Sequence, residues 1–420
     1  MKQMVRYFFL ACILCPVSCV LCPNAKAELS VGAAKQELRL PAKIPLAGYS
    51  RRHGKPSTGV HDPVSVRALV LRDQDTTVAL VSVDLLIIDE RLYAAVQQRL
   101  RQTHPALELL LAATHTHSGP GAYGQTFLEK ISMGQYDQAV FDELVRRISA
   151  AVAEAVSRME PVTALRMVVT TTQGLVANRM QEDGVVDPEL IVVSLEGRAH
   201  RPLALVANFS AHPTTLGAGN RQLSADYPGV LVRELERRHP GAVSLFFVGA
   251  VGDQAPVKHG EQFERAEWLG SQLAQQAGEM DAKALSVSDT ALQAAQQAMP
   301  LPPARVRLGK LTLPSWMGRA LVDDDATLSL VRVGPVLLIG VPCDLSAELG
   351  LALKRYARER GYQPLIVGFA DDYIGYCLPK RLYERTTYEA SLMFNGSDTG
   401  ELLVYELQRM IDQMQVMSDQ

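Results

Sequence analysis

What this sequence lacks narrows its function before any motif is read. It has no surplus of positive charge: 42 Lys and Arg stand against 45 Asp and Glu, a formal net charge of −3. A protein that neutralises phosphates needs a basic excess, so a nucleic-acid partner is excluded. It has no internal repeat and no low-complexity tract. With 47% hydrophobic and 21% charged residues over 420 positions, it is too apolar for a disordered or charge-driven chain. It has no Gly-x-Ser-x-Gly, which removes support for a nucleophile-elbow hydrolase. It has one long apolar run, and that run lies at the very N-terminus.

The N-terminal run reads as an address. Lys2 and Arg6 precede an uncharged stretch from Tyr7 to Leu21, and Ala25-Lys26-Ala27 gives a small-x-small cleavage site. Residues 1–27 are therefore expected to be a secretory signal peptide, cut after Ala27, with residues 28–420 forming one large domain in the periplasm or outside the cell. A spanning helix needs ~20 apolar residues, and Pro16 interrupts this shorter run. Pro16 is also wrong for a lipobox ahead of Cys19. Cleavage would take Cys12, Cys15, Cys19 and Cys22 with it and leave Cys343 and Cys377. Two cysteines are no disulfide framework, so folding must rest on an apolar core.

Apolar runs of strand length recur at Val66–Leu71, Thr77–Val83, Leu107–Ala113, Ala164–Val169, Leu190–Leu195, Leu203–Asn208, Val243–Val248, Leu328–Val333, Val336–Gly340 and Leu365–Phe369. Several are continuous rather than alternating, as in strands covered on both faces. Helical stretches lie between them, at Glu90–Gln102, Phe141–Met159, Tyr227–Arg238, Glu261–Gln276, Ser346–Arg360 and Gly400–Met414. The pattern predicts an α/β fold of mixed α+β layers, with a largely parallel or mixed sheet covered by helices. Residues 283–303, rich in Ala, Gln and Pro, are the expected place for a subdomain boundary, if there is one.

Chemistry-bearing residues gather at the ends of the strands. Thr114-His115-Thr116-His117-Ser118-Gly119-Pro120-Gly121 follows one apolar run, and His115 and His117, two apart, share a face. His212-Pro213 follows a second run, Gly252-Asp253 a third, Cys343-Asp344 a fourth, and Asp371-Asp372-Tyr373-Ile374-Gly375-Tyr376 a fifth. Parallel strands lying side by side would bring these ends together around one cavity, with a metal site at the strand ends. Two imidazoles and a carboxylate form a frequent catalytic zinc set. From the residues alone, both histidines of His115-Thr116-His117 are candidate ligands.

These motifs resemble those of the neutral/alkaline non-lysosomal ceramidase family. The matching segments are Gly48-Tyr49, Val60–Pro63, Arg67–Leu71, Thr114–Gly121, Asn178-Arg179, His212-Pro213, Ser224–Asp226, Gly252–Pro256, Asp372–Tyr376 and Tyr388–Ser391, in the family's order. The resemblance implies a hydrolase that holds one zinc and cleaves the amide of an N-acylsphingosine-like lipid; together with the signal peptide and Ala255 the expectation is a secreted enzyme with zinc-bound water as nucleophile. The resemblance also implies metal ligation by His115, His212, Asp344 and Tyr376. It makes His117 a proton carrier instead of a ligand, with Arg179 and Tyr388 binding the substrate carbonyl and oxyanion. Peripheral contact with a membrane would follow from a lipid-like substrate.

Three departures stand out. The family's carboxylate ligand is Glu, one methylene longer than Asp344. The family's serine in Gly-Asp-x-Ser-Pro, assigned as nucleophile, is Ala255 here, and a methyl group cannot attack a carbonyl. The family's separate C-terminal β-sandwich is not expected, because the sequence stops after one last helix. Cys343 and Cys377 each adjoin an implied ligand and read either as a disulfide behind the site or as two buried thiols. Two other functions stay open: a catalytically silent binding protein, and a metal-dependent esterase. The His/His/Asp/Tyr set suits zinc and would also take iron or copper.

Overall fold

The computed structural model describes residues 29–280, 284–308, 311–319 and 321–418. The segment read as a signal peptide lies outside the described residues. Three sheets are each built the same way: antiparallel strands first, then one strand–helix–strand crossover that adds a parallel neighbour. In the first sheet, β1 (Ser30–Glu37), β2 (Ser65–Arg72) and β3 (Thr77–Val83) are antiparallel. Helix α1 (Glu90–Arg101) then returns the chain so that β4 (Leu107–Ala113) pairs parallel with β3. Helices α2 (Phe127–Met133) and α3 (Gln138–Ser157) follow.

The second sheet repeats the scheme with β5 (Ala164–Thr171), β6 (Glu189–Glu196) and β7 (Pro202–Phe209), after which α4 (Asp226–Arg238) leads to the parallel β8 (Val243–Val248). Helix α5 (Phe263–Met280) packs beside α4. The third sheet contains β9 (Leu292–Pro300), β10 (Asp325–Val333) and β11 (Val336–Val341), then α6 (Ala347–Arg358) and the parallel β12 (Gln363–Gly368). Helix α7 (Thr399–Ser418) packs against α6.

Side-chain alternation explains why these strands read as continuous apolar runs. Leu69, Leu71 and Leu80 of the first sheet meet Leu165, Val193 and Val206 of the second and Val333, Leu338 and Leu365 of the third in one shared core. Only a void of about 20 Å³ remains where they converge. The opposite faces carry the other residues: Val66, Ala68 and Val70 pack with Leu144 and Ile148 of α3, while Leu337, Ile339 and Val341 pack with Leu353, Leu407 and Ile411. The inner strands are thus buried on both faces, one by the other sheets and one by helices.

The fold is thus α/β in mixed layers, with one difference from the expected arrangement. The strands do not lie side by side in one sheet but form three, whose crossover strands all end at the same place. Residues 284–303 hold the passage between two sheets: Leu285–Val287 pairs with β5 of the second sheet, and Leu292–Pro300 pairs with β10 of the third along its whole length. This edge strand alternates Gln with Ala and is half-exposed, so its composition resembles a linker. The predicted strands also omitted Ser30–Glu37. Its small residues answer to packing: a Cβ on Gly32 would come within 2.0 Å of the Ala155 carbonyl on α3.

Candidate metal centre and active site

Strands β4, β7, β11 and β12 end around one polar site and supply its side chains from just past their last rungs, while β8 ends directly behind it. His115 follows β4 and His212 follows β7. Both are buried, at 3% and 1% exposure. His115 stands at φ +63, which a non-glycine residue adopts only where its surroundings impose it. The imposition is visible: its Nδ1 donates to the Leu86 carbonyl at 2.6 Å, and Phe369 stacks on its ring at 3.7 Å. His212 is turned the same way, with Nδ1 facing the Val251 carbonyl at 3.3 Å. The loop behind it is pinned by Asp226, which accepts from the Thr215 amide, and by the Tyr227 hydroxyl, which donates to the Ala211 carbonyl.

His212 Nδ1 stands equally close to Arg179 Nη1, at 3.3 Å, and the Nε2 atoms of His115 and His212 face each other, 2.8 Å apart. His117 adds a third Nε2, at 3.2 Å from that of His115 and 3.0 Å from that of His212. Burial holds His115 down at about 3 and pushes His117 and His212 well below the usual imidazole range, with the Arg179 guanidinium adding to the effect. All three are therefore neutral at ordinary pH. His117 differs in one respect. Its Nδ1 is buried, faces the Gly48 backbone and meets no hydrogen-bond geometry.

Asp344 lies beside the imidazoles at 1% exposure. Its Oδ2 accepts from the Tyr373 hydroxyl at 2.8 Å. Its Oδ1 has no hydrogen-bond partner and stands 3.7 Å from His115 Nε2 and 4.0 Å from His212 Nδ1. Burial pushes this carboxyl up to about 7, against the pull of Arg179. Three inward-facing imidazole nitrogens and an orphaned buried carboxylate oxygen are a donor set that suits a divalent cation. Among the described residues, His115, His117 and His212 are the one group of this kind.

Tyr376 is delivered by a short parallel pairing of Asp344–Leu345 with Tyr376–Cys377, which sets its backbone opposite that of Asp344. Its hydroxyl hydrogen-bonds Asp344 and accepts from Arg179 Nη2 at 2.8 Å. Arg179 is held on its other sides by the Gly252 carbonyl at 2.9 Å and the Glu389 carboxylate at 3.0 Å. It stands behind Tyr376 and His212 and is not among the cavity's lining residues. Tyr388 does line the cavity, with its ring 6.1 Å from that of Tyr376.

The cavity above these groups measures about 290 Å³. His115, His117, Asp344, Tyr373, Tyr376 and Tyr388 form its polar end, and Leu86, Ile87, Leu128, Ile131, Ile374 and Phe394 form apolar walls. Ala255 lies outside it, on Gln254–Pro256, where it pairs with Ala177. Of the two states open to the cysteines, the structure has free, buried thiols hydrogen-bonded to each other. His61 is a bracing residue: it stacks on Phe263 at 3.6 Å and contacts Asp62, which accepts from the Ala225 amide.

The structure brings His115, His117, His212, Asp344 and Tyr376 together and adds Tyr373, Glu389 and Phe369, to which the sequence reading gave no role. Tyr373 and Glu389 sat inside quoted motifs without a role. Phe369 gave no signal, because an aromatic at a strand end is ordinary core.

Residues 30–277 match the family described as neutral/alkaline non-lysosomal ceramidase, N-terminal. The neutral ceramidase of Pseudomonas aeruginosa is 26% identical over 280 residues, which cover 60% of this chain and 41% of that protein. Neutral ceramidase A of Dictyostelium discoideum is 26% identical over 227 residues, covering 49% and 31%. The chain thus spans less than half the length of these curated relatives. The crystal structure of the Pseudomonas aeruginosa neutral ceramidase superposes with a TM-score of 0.82 at 19% identity, over 93% of this chain and 75% of that one. A ceramidase complexed with C2 superposes equally well at 17% identity.

Proposed function

We propose, from the premise that this chain belongs to the neutral/alkaline non-lysosomal ceramidase family, that it is a zinc-dependent hydrolase cleaving the amide of an acylated, lipid-like substrate. The observation that carries the reading is the convergence of three neutral Nε2 atoms within 3.2 Å beside the orphaned Asp344 oxygen, at the floor of an apolar-walled cavity. His115 is the best-prepared ligand, because a metal-bound imidazole characteristically donates its other N–H to a carbonyl, as it does to Leu86, and His212 faces it through Nε2. Asp344 and Tyr376 complete the set. Bound zinc supplies Lewis acidity toward a carbonyl and lowers the pKa of water to about 7.

The chain's own residues supply the rest. His117, whose Nδ1 faces the Gly48 backbone without reaching hydrogen-bond geometry, takes a proton and returns it to the leaving amine. Tyr388, on the cavity wall, donates toward the substrate carbonyl and the oxyanion that forms from it. Arg179 acts one residue behind, holding Tyr376 and placing positive charge near the developing anion. Leu86, Ile87, Leu128 and Phe394 bury the acyl chain and exclude water. Because Ala255 offers no hydroxyl, the reading needs no serine nucleophile at that position. The leader-like residues 1–27 support a periplasmic or secreted location, where a lipid substrate would be met at a membrane surface.

A second reading, a silent binding protein, is favoured by Ala255 alone. One experiment separates them: elemental analysis of chelator-free protein beside a His115→Ala/His212→Ala variant, followed by assay on short-chain ceramide and on matched acyl-amide and acyl-ester analogues. About one zinc per chain, absent from the variant, with amide turnover, supports the hydrolase. No metal in folded wild type after zinc is restored would sink it. Zinc without turnover of any analogue would leave the binding protein.

A further inference from the structure

The turn that follows β8, Val251–Gln254, lends no residue to the cavity lining, yet it bonds the segments that carry His212, Arg179 and Asp344. The Val251 carbonyl faces His212 Nδ1, and the Gln254 carbonyl accepts from the His212 amide at 3.3 Å. The Gly252 amide donates to the Leu345 carbonyl at 2.7 Å, one residue past Asp344, and the Gly252 carbonyl accepts from Arg179. Asp253 sits at the centre of this turn, 5% exposed. Its backbone carbonyl accepts from the Arg179 amide at 2.8 Å. Its carboxylate Oδ1 accepts from the Ala347 amide at 2.8 Å and from Gln254 Nε2 at 2.9 Å, and Oδ2 accepts from Asn178 Nδ2 at 2.9 Å.

We propose that Asp253 is the positioning residue of this site, locking the loop that carries Arg179 to the first turn of α6, directly behind Asp344. The inference rests on the hydrolase reading above. Its chemistry is selective. All three side-chain partners are N–H donors, so both oxygens must accept, and only a carboxylate does so on both sides. An amide of the same shape would set an NH₂ against donors. The carboxylate also faces the N-terminus of α6, whose dipole favours negative charge. Asp253 touches neither the cavity nor a proposed ligand side chain. It acts through Arg179 and Asp344, and the spacing between those two segments sets where the Tyr376 hydroxyl and the Asp344 carboxylate meet.

The test compares Asp253→Asn with Leu195→Ala, a core truncation in the shared three-sheet interior, as a reference for plain stability loss. Zinc affinity, kcat, KM and amide hydrogen exchange are read for both. Asp253→Asn is expected to weaken zinc binding by about 10–100-fold, the range for outer-shell partners, and to lower kcat at least as much with KM little changed. Leu195→Ala should match its loss of thermal stability with wild-type zinc affinity and kcat. Equal zinc affinity and kcat in the two variants would overturn the proposal. If Asp253→Asn does not fold, Ala347→Pro replaces it. That change removes only the N–H at the first helical position, where proline is accommodated, and Ser346 already has an extended backbone at φ −68, ψ 152. It should show the same split at smaller size, and wild-type values there would equally refute the role. A wild type without zinc defeats the hydrolase reading instead. Asp253 is then judged on exchange: faster exchange of the Arg179 amide in Asp253→Asn but not in Leu195→Ala supports it, and unchanged exchange refutes it.

Discussion

Replacing Gly48 with alanine tests whether His117 is a proton carrier or a ligand. Gly48 has φ +104, outside the range open to residues with a side chain, and its backbone is fixed by donation from its amide to the Ser132 carbonyl. A Cβ built there falls 2.5 Å from His117 Nδ1 and 2.7 Å from Cγ. Ordinary contact begins at 3.4 Å, so the imidazole must retreat by about 0.9 Å. Its backbone cannot follow, since the His117 carbonyl is held by Arg52 Nη1 at 2.6 Å. The ring must therefore swing, which carries Nε2 away from the other two imidazoles. Backbone strain costs about 1–3 kcal/mol, to be read from the urea midpoint. A displacement near 1 Å of a catalytic group lowers turnover by roughly 100-fold. The assay pairs kcat on the best acyl-amide with zinc content. The expected result is turnover down about 100-fold with one zinc per chain retained, because His115 and His212 are untouched. Turnover within about threefold of wild type would refute His117 as the proton carrier, and loss of zinc together with turnover would make it a ligand.

Two further outcomes follow from buried charge. Burial raises Asp371 from 3.8 to about 7, so the folded state binds the proton more tightly than the unfolded chain. Stability is therefore lost as pH rises from about 4 to about 7, by an amount on the order of 4 kcal/mol. Asp371→Asn keeps an acceptor for the Leu111 amide and suits the φ of +65. It should match wild type near pH 4 and exceed it at pH 8 in urea titrations, whereas an unchanged pH slope would show that Asp371 ionises freely in the fold. Lys354, fully buried on α6, pairs with Asp187 at 2.7 Å and Glu189 at 3.1 Å, and Asp187 also accepts from Ser210. Lys354→Met leaves the buried Asp187 without its cation, while Glu189 keeps Arg358, and should cost about 3–5 kcal/mol, measured at pH 7, and a loss below about 1 kcal/mol would show that water reaches the pair.

The legible part of this protein was what repeats locally. Three of the predicted strands, Thr77–Val83, Leu107–Ala113 and Val243–Val248, coincide with those observed, because an apolar run closed by turn residues needs no distant partner to be recognised. The edge strand Leu292–Pro300 and the Gly-Ala strand Ser30–Glu37 escaped, because their residues are chosen by what they pair with or pack under. The position of His115, His212 and Asp344 at strand ends could likewise be read along the chain. So could the shared direction of His115 and His117, which lie two residues apart.

Sequence by itself determined the chemistry on offer: imidazole, carboxylate and phenol placed after apolar strands, with no serine at position 255. Tertiary structure decided how that chemistry is divided. His115 has its tautomer set by the Leu86 carbonyl, His212 holds Nδ1 between the Val251 carbonyl and Arg179, and His117 turns its Nδ1 to the Gly48 backbone. Arg179 serves Tyr376 from behind. Asp253, merely an acid at a strand end in the sequence, gathers three donors from three segments. These assignments depend on hydrogen-bond directions between residues tens to hundreds of positions apart. Such directions exist only once three sheets have closed on one core and brought their crossover strands to a common end.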